Sequence, residues 1–169
     1  MAGKKRIDVT LHIREIIFDI ENKTHIVGHS REMEDGSRYA AASNMQASDD
    51  DDSSYQMKRS ISNAIGNLKT ELAEYLDEES TATNNRIIAS VDAEEDVTLS
   101  LSMPSNYNQA SADNLGAGLH QYVVNMAIYD WFVMTNKVDA ADYGALSAAA
   151  LETARRALYK RTRPTRPVY

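Results

Sequence analysis

Histidine side chains could bind a metal ion or transfer protons, so their spacing is the first test for chemistry in this chain. His25 and His29 lie four positions apart in a segment whose pattern is typical of a β-strand. In a strand this spacing separates the two side chains by about 13 Å, too far for them to share one metal ion. His120 stands beside Leu119 on a predicted helix and is interpreted as a structural or surface histidine. The histidines therefore predict no metal centre.

The strongest concentration of carboxylates is the run of aspartates at 49–52. A calcium loop of the EF-hand type needs spaced ligands, a central glycine and a distal glutamate, and these do not follow the run. Carboxylates that precede a helix instead interact favourably with its positive N-terminal end. Ser53 or Ser54 can act as the N-cap residue. We therefore expect residues 49–52 to be a charge cap that binds no specific metal.

Motifs for nucleotide binding and catalysis are absent from the sequence. Gly116 and Gly118 supply only part of a dinucleotide-binding loop, because a third glycine is missing and no strand directly precedes them. There is no Walker lysine motif, nucleophile elbow or HExxH helix. The chain has no cysteine, which excludes disulfides and thiolate metal sites. The sequence thus predicts that the protein is not an enzyme and has no catalytic, cofactor-binding or metal-binding residue and no cofactor.

Positive charge is concentrated at the C-terminus, in the sequence RRALYKRTRPTRPVY. The whole chain carries a formal charge of −7, and removing the six positive charges of this segment leaves −13 for residues 1–154. Pro164 and Pro167 end a helix and favour an extended backbone. We expect an extended arm at 161–169 that docks on an acidic protein surface, such as the body of a like subunit. Binding of nucleic acid by the arm is a weaker interpretation, because the body of the chain is strongly acidic.

Two kinds of side chain are predicted to make the contacts of this arm. Arginines can bind carboxylates in bidentate fashion, and a terminal tyrosine adds a large contact area in an apolar pocket. Basic residues at the end of the preceding helix also suit its negative C-terminal end. The predicted contact residues are Arg155, Arg156, Lys160, Arg161, Arg163, Arg166, Val168 and Tyr169.

The length and composition are those of one globular domain. The chain has 169 residues, of which 43% are hydrophobic and 25% charged, enough to bury a sizeable core. Its longest apolar stretch, YVVNMAIYDWFVM, is much shorter than the ~20 residues of a membrane span. No apolar segment of the signal-peptide type follows the basic N-terminus. We expect a soluble α+β domain at 1–160, followed by the arm.

The N-terminal half is predicted to begin with a β-hairpin. Apolar and polar residues alternate from Ile7 to Ile13, and the phase change near Arg14 is interpreted as a bulge in a strand that continues to Ile20. The sequence ENKT is a plausible turn, and HIVGHSR a returning strand. Residues 34–54 lack apolar periodicity and are rich in Ser, Ala and Asp. They predict a loop that is mobile or ordered only by a partner.

A helix and a second hairpin are expected next. Apolar residues at steps of three and four predict an amphipathic helix at about 54–79. They are Met57, Ile61, Ile65, Leu68, Leu72 and Leu76. The segments RIIASV and DVTLSLSM predict a hairpin that ends before Pro104. Its second strand points Val97, Leu99, Leu101 and Met103 inward and the intervening Ser and Thr residues outward.

Two helices complete the predicted domain, giving the order β-β-α-β-β-α-α. The first, at 111–136, is apolar on two sides. Its second side carries Val124, Ile128 and Trp131, so the helix is either central in its own fold or packed against another subunit. We assign these three residues to a contact between subunits. The last helix begins near Asp139 and is expected to form a tight antiparallel hairpin with the one before it. Its predicted inner residues are Ala141, Ala145, Ala149, Ala150 and Ala154, with bulk from Leu146, Leu151 and Leu158.

The C-terminal half, residues 99–167, resembles small neck proteins of tailed bacteriophages, in particular the head-to-tail connector or ring proteins of crAss-like phages. The likeness lies in the layout: a helix with the segment YDWF, a short turn, a helix start at ADY, and an Arg-rich exit into an Arg/Pro tail. The resemblance is one of order and spacing.

This resemblance implies a structural subunit of the virion neck that is assembled in the host cytoplasm. Members form a homo-oligomeric ring, commonly twelvefold, that binds below the portal and lets DNA pass through its lumen without specific binding. An acidic body suits such a channel wall, because it repels phosphates. No membrane contact is implied. Two alternatives stay open: a monomeric or oligomeric α+β protein-interaction module, and a tail-terminator or completion protein.

Overall fold

A computed structural model describes residues 4–30, 45–47, 51–77 and 95–163 of the chain. Within these residues, two strands and four helices surround one hydrophobic core. The elements are β1 (Lys5–Leu11), α1 (Ile13–Ser30), α2 (Asp51–Glu71), β2 (Val97–Met103), α3 (Ala112–Thr135) and α4 (Lys137–Leu158), with a short 3₁₀ helix at Gln109–Ser111. The α+β class is confirmed. The described order is β-α-α-β-α-α, which differs from the predicted order of elements.

The predicted first hairpin is wrong, because the chain turns into helix α1 directly after β1. The buried residues of α1 recur at steps of three and four, which is the helical period. They are Ile13, Ile16, Ile20, Thr24 and Gly28. The change of phase near Arg14 is therefore the switch from strand to helix and not a bulge. Phe18, which the strand assignment would bury, is 61% exposed.

The sheet consists of β1 and β2, which pair antiparallel although they are far apart in sequence. Lys5 pairs with Met103 and Leu11 with Val97. Apolar side chains of both strands face the core, as predicted: Ile7, Val9, Leu11, Leu99, Leu101 and Met103 are buried. The other predicted strand of the second hairpin, RIIASV, lies outside the described residues.

Ser100 is a correction to the predicted faces of β2, because it is buried and not exposed. The chain after α2 runs along the second edge of this strand. The Asp77 amide donates to the Ser100 carbonyl at 2.9 Å, and the Ser102 amide to the Tyr75 carbonyl at 2.6 Å. The Ser100 hydroxyl donates to Asp8 Oδ1 at 2.7 Å. The segment at 72–77 thus covers an edge that would otherwise expose unpaired backbone groups.

Helix α2 carries the predicted apolar face but has different ends. It begins at Asp51 and ends at Glu71, so Ser53 and Ser54 lie in its first turn and cannot be N-cap residues. Met57, Ile61, Ile65, Leu68 and Leu72 are buried as predicted. Residues 49 and 50 of the aspartate run lie outside the described part of the chain.

The segment 34–54 was expected to be a mobile loop. The structure corrects this expectation for residues 45–47. Met45 and Ala47 are buried. The Trp131 Nε1–H group donates to the Met45 carbonyl at 2.9 Å, and the Ala47 amide donates to Thr24 Oγ1 at 3.1 Å. These bonds fix the backbone of the segment between α1 and α3. Residues 34–44 lie outside the described residues.

The predicted antiparallel pair of the last two helices is confirmed as α3 and α4. A Cβ atom on Gly118 would lie 3.1 Å from Ala154 Cβ and 3.2 Å from the Ala150 carbonyl, so the two helices approach closely at this glycine. Ala154 is buried as predicted, and Ala150 is half-buried. The other predicted inner alanines, at 141, 145 and 149, are exposed. Leu146 is 51% exposed, so it supplies no bulk to the core.

Two alanine substitutions in α1 distinguish the helix from the predicted strand. Replacing Ile20, which is fully buried, should lower the free energy of unfolding by about 2–5 kcal/mol through the cavity it leaves. Replacing Phe18 should change it by no more than about 0.5 kcal/mol, because most of the ring faces solvent. Urea denaturation of both variants is the measurement. Equal losses at the two positions would contradict the helix, since only a strand points both residues inward.

Candidate protein-interaction surfaces

The three residues predicted for a subunit contact on α3 lie inside the chain or against it. Val124 and Ile128 have 0% exposed area, so in this structure neither side chain has a surface that a partner could contact. Trp131 is half-buried, and its indole N–H group is bonded to Met45. The second apolar side of the helix is therefore explained by its central place in its own fold.

The start of the predicted arm is attached to its own domain. Arg161 forms an antiparallel bridge with Tyr107. The Asn108 amide donates to the Lys160 carbonyl at 3.1 Å, and the Thr162 amide donates to the Asn106 carbonyl at 2.8 Å. The backbone is extended here, as predicted, but residues 160–162 are bonded to their own domain.

Three of the predicted basic contact residues are engaged within the chain. Arg161 donates to the Leu158 carbonyl at 2.7 Å, which satisfies a free carbonyl at the end of α4 as its sequence position predicts. Arg155 pairs with Glu71 of α2, which raises the pKa of its guanidinium above the ordinary value. Arg156 pairs with Glu152 one turn earlier on α4. These exposed pairs contribute little to stability.

Four other basic residues form a patch that we call the basic end: Lys4, Lys5, Lys160 and Arg163. Lys5 Nζ donates to the Tyr107 carbonyl at 3.1 Å, and Tyr107 is bridged to Arg161. The basic segment at the N-terminus and the basic segment after α4 therefore both contact the loop at 106–108. No local pattern predicts this contact, because the two segments lie at opposite ends of the chain. Arg166, Val168 and Tyr169 lie outside the described residues.

A second exposed surface is apolar and lies on α4. We call it the outer face of α4: Val138, Ala141, Ala145, Leu146 and Ala149, all exposed. Val138 is 77% exposed, and Met134, at the end of α3 just before this face, is 57% exposed. Of these residues, Ala141, Ala145, Leu146 and Ala149 were predicted to lie inside the helix pair. A contiguous patch of exposed apolar side chains marks an interaction site.

A cavity of about 370 Å³ lies between the end of α1 and the start of α4. Its lining combines apolar and acidic groups: Val27, Ser30, Asp139, Asp142 and Tyr143. Burial raises the pKa of the Tyr143 hydroxyl, and the nearby Asp139 raises it further. Asp139 accepts a hydrogen bond from Asn136 Nδ2 at 2.5 Å, within the first turn of α4. It thus contributes to the helix start, as predicted, although Asn136 occupies the N-cap position.

The histidines at 25, 29 and 120 contact other side chains of the same chain, which makes them structural residues. His25 and His29 lie on helix α1 with ring centroids 4.1 Å apart, so the separation expected for a strand is wrong. His120 Nε2 lies 2.9 Å from Asp19 Oδ2, joining α3 to α1. Over the described ranges, no three His, Asp or Glu side chains are grouped so that they could hold a metal ion.

Burial raises the pKa of the Asp130 carboxyl on α3 above its ordinary value. Half-burial on α3 is the larger influence, and a hydrogen bond with Ser60 of α2 opposes it. Asn67 makes a similar link, to the hydroxyl of Tyr122. Both bonds join α2 to α3, so the carboxylate is explained by helix packing and not by a reaction.

Comparisons with known proteins find no match: no family model, no curated protein and no solved structure. A separate property concerns membranes: among the helices of the described residues, none has the length and apolarity needed to cross a bilayer.

Trp131 provides a test of how the segment 45–47 is fixed. Replacing it with Phe removes the N–H donor and leaves the buried Met45 carbonyl without its partner, which should lower the free energy of unfolding by about 1–3 kcal/mol. The amide of Ala47, which is bonded to the neighbouring Thr24, should then exchange its hydrogen faster. Hydrogen exchange followed by NMR measures this. Unchanged protection of Ala47 would mean that the indole does not hold the segment.

Tyr107 provides a substitution that should not lower the free energy of unfolding. Its ring is fully buried, and its hydroxyl has no hydrogen-bond partner in the described structure. Replacing it with Phe removes an unsatisfied polar atom and should leave stability unchanged or raise it by about 1 kcal/mol. Thermal and urea unfolding measure the effect. A loss of more than 1 kcal/mol would show that the hydroxyl has a partner, such as a bound water.

Proposed function

We propose that the protein is a structural subunit of the neck of a tailed bacteriophage, where copies form a homo-oligomeric ring between portal and tail that lets DNA pass. The proposal begins from the resemblance of residues 99–167 to such ring proteins. It assigns no reaction and no cofactor to the chain. The residues that carry this function lie on surfaces that contact other protein subunits.

The observation that carries the proposal is the outer face of α4. Val138, Ala145 and Ala149 expose small and medium apolar side chains along about three turns of a helix. A neighbouring subunit that packs on this face would remove it from water, at a gain of roughly 25 cal/mol for each Å² of apolar area. Small side chains also allow the backbones of two helices to approach closely. In a ring each subunit would use this face once, against a different face of its neighbour.

Charge supports the same proposal. Residues 1–154 carry a charge of −13, so a ring of many copies would be strongly acidic. DNA phosphates are repelled by such a wall, and passage without binding is what a channel requires. The basic residues at the C-terminus bind acidic protein surfaces and not DNA.

The experiment is to express the chain together with the portal and capsid proteins encoded in the same genome, and to image the purified particles by electron microscopy. We expect a ring of density below the portal that is lost when the chain is omitted. A chain that is absent from the particles and does not bind the portal would refute the neck assignment. Self-association without portal binding would favour the alternative of a protein-interaction module.

A charged substitution on the outer face of α4 tests the surface itself. Ala145→Arg places a long cation at the centre of this face and should abolish ring formation while changing the free energy of unfolding by no more than about 0.5 kcal/mol. Asn63→Arg is the matched control, because Asn63 is exposed on α2 and gains the same charge. Particle images and native mass spectrometry compare the two variants. Rings formed by both variants alike would exclude this face from the interface.

A further inference from the structure

We infer that the basic end of one copy, together with the arm that leaves it, docks in the cavity between α1 and α4 of the next copy. This inference rests on the proposed function, since it requires copies to lie side by side. It specifies the cavity as the site that accepts the arm, and it includes Lys4 and Lys5 in the contact.

The basic end is a fixed surface and not a loose tail. Lys160 and Arg163 flank a backbone bridge to residues 106–108, and Lys5 is bonded to the carbonyl at the centre of that loop. Lys160 and Arg163 form no ion pair with the described part of the chain, whereas Arg155 and Arg156 each do. Positive charge is therefore available here, next to the point where the arm departs.

The cavity has the complementary chemistry. Asp142 is exposed on its wall and makes no hydrogen bond or ion pair with the described residues, so its carboxylate can receive a lysine or arginine. Val27 and the ring of Tyr143 supply apolar walls beside it. The arm, RPTRPVY, combines guanidinium groups with proline, valine and tyrosine. An extended segment of this kind fits a site that is acidic on one side and apolar on the other.

The basic end is held too far from the cavity of its own chain to contact it. Asp142 lies 16 residues before Leu158 on α4, which corresponds to about 24 Å along the helix axis. Arg163 lies beyond Leu158, on the loop where α3 begins. Three residues carry the backbone of Arg166 only about 10–11 Å further, and the six residues to the terminus span at most about 22 Å. Lys160, Arg163 and Arg166 therefore cannot contact Asp142 of their own chain, so their partner is Asp142 of another copy.

In this contact the basic end of one copy binds the cavity of the next, so the two copies use different surfaces. Such a contact is heterologous. Such contacts continue from copy to copy until the rotation closes a ring. The same geometry that keeps the basic end of a copy away from its own cavity thus promotes the chain of contacts that a ring needs. Because the contact is ionic in part, it should weaken as salt is added.

A charge exchange tests the contact in the full-length protein co-assembled with the portal. Lys160→Glu and Asp142→Lys should each weaken association between copies about tenfold at 0.1 M salt, and the double variant should recover most of the loss, since only the exchange restores an opposite pair. Arg14→Glu and Glu15→Lys are matched controls on exposed sites of α1 and should leave association unchanged. Analytical ultracentrifugation and ring counts from micrographs give the affinities.

Cross-linking identifies the occupant, and the absence of native cysteine makes it unambiguous. One batch carries Asp142→Cys and another Thr165→Cys, and a short bismaleimide is added after mixing. We expect a covalent dimer only when both batches are present. Rings that form normally but show no charge exchange effect and no cross-link would overturn the inference and leave the proposed function intact. A link within a single chain that carries both cysteines would also overturn it. Failure of the wild-type chain to join the portal would instead refute the proposed function.

Discussion

The rest of the structure depends on the burial of helix α3. From Gly118 to Ile128 almost every side chain of this helix is buried, including the polar Asn125. A helix that is apolar on all sides has no stable exposed surface, so it must be surrounded. Helix α4 covers one side, α1 and α2 cover others, and β1 contacts its first turns through Val9 and Gly116. Each fully buried large apolar side chain contributes about 1.5–3 kcal/mol, which makes α3 the main source of cohesion.

The positions of the charged groups follow from this arrangement. Helices α3 and α4 are antiparallel, so the start of α3 and the end of α4 lie at the same end of the pair. The loop at 104–108 leads into α3 and receives both Lys5 and the backbone at 160–162. The first and last basic segments of the chain are thereby brought to one end. The cavity with Asp139 and Asp142 lies at the other end, where α4 begins. The basic end and this cavity therefore lie at opposite ends of the α3–α4 pair.

Polar bonds near α3 decide details that apolar packing leaves free. Trp131 and Thr24 bind the backbone of residues 45–47 and so attach a segment without apolar periodicity to the core. Ser60 and Asn67 of α2 bind Asp130 and Tyr122 of α3. Bonds of this kind contribute about 1 kcal/mol each. Their main effect is to select one register of the helices, because a shifted register would leave buried groups unpaired.

The sequence by itself determined the α+β class, the strands β1 and β2, the apolar face of α2, and the helix pair α3 and α4. These predictions depend on local periodicity, which reports directly which side of an element is buried. Arg161 was also predictable as a partner of the last carbonyls of α4, because that role follows from position alone. Helix α1 was missed because Ile16 and Ile20 fit both periods, and Phe18 completes a period of two although it is exposed on the helix.

Only the tertiary structure decided which strand pairs with β1, which side of α4 faces the core, and which charges meet. Alanine is compatible with the inside and the outside of a helix, so Ala145 and Ala154 look alike in sequence although only Ala154 is buried. Val124 and Ile128 are apolar whether they face a core or a partner. The basic end joins residues separated by more than a hundred positions. Contacts of this kind arise from the folding of distant segments around α3, and no local pattern encodes them.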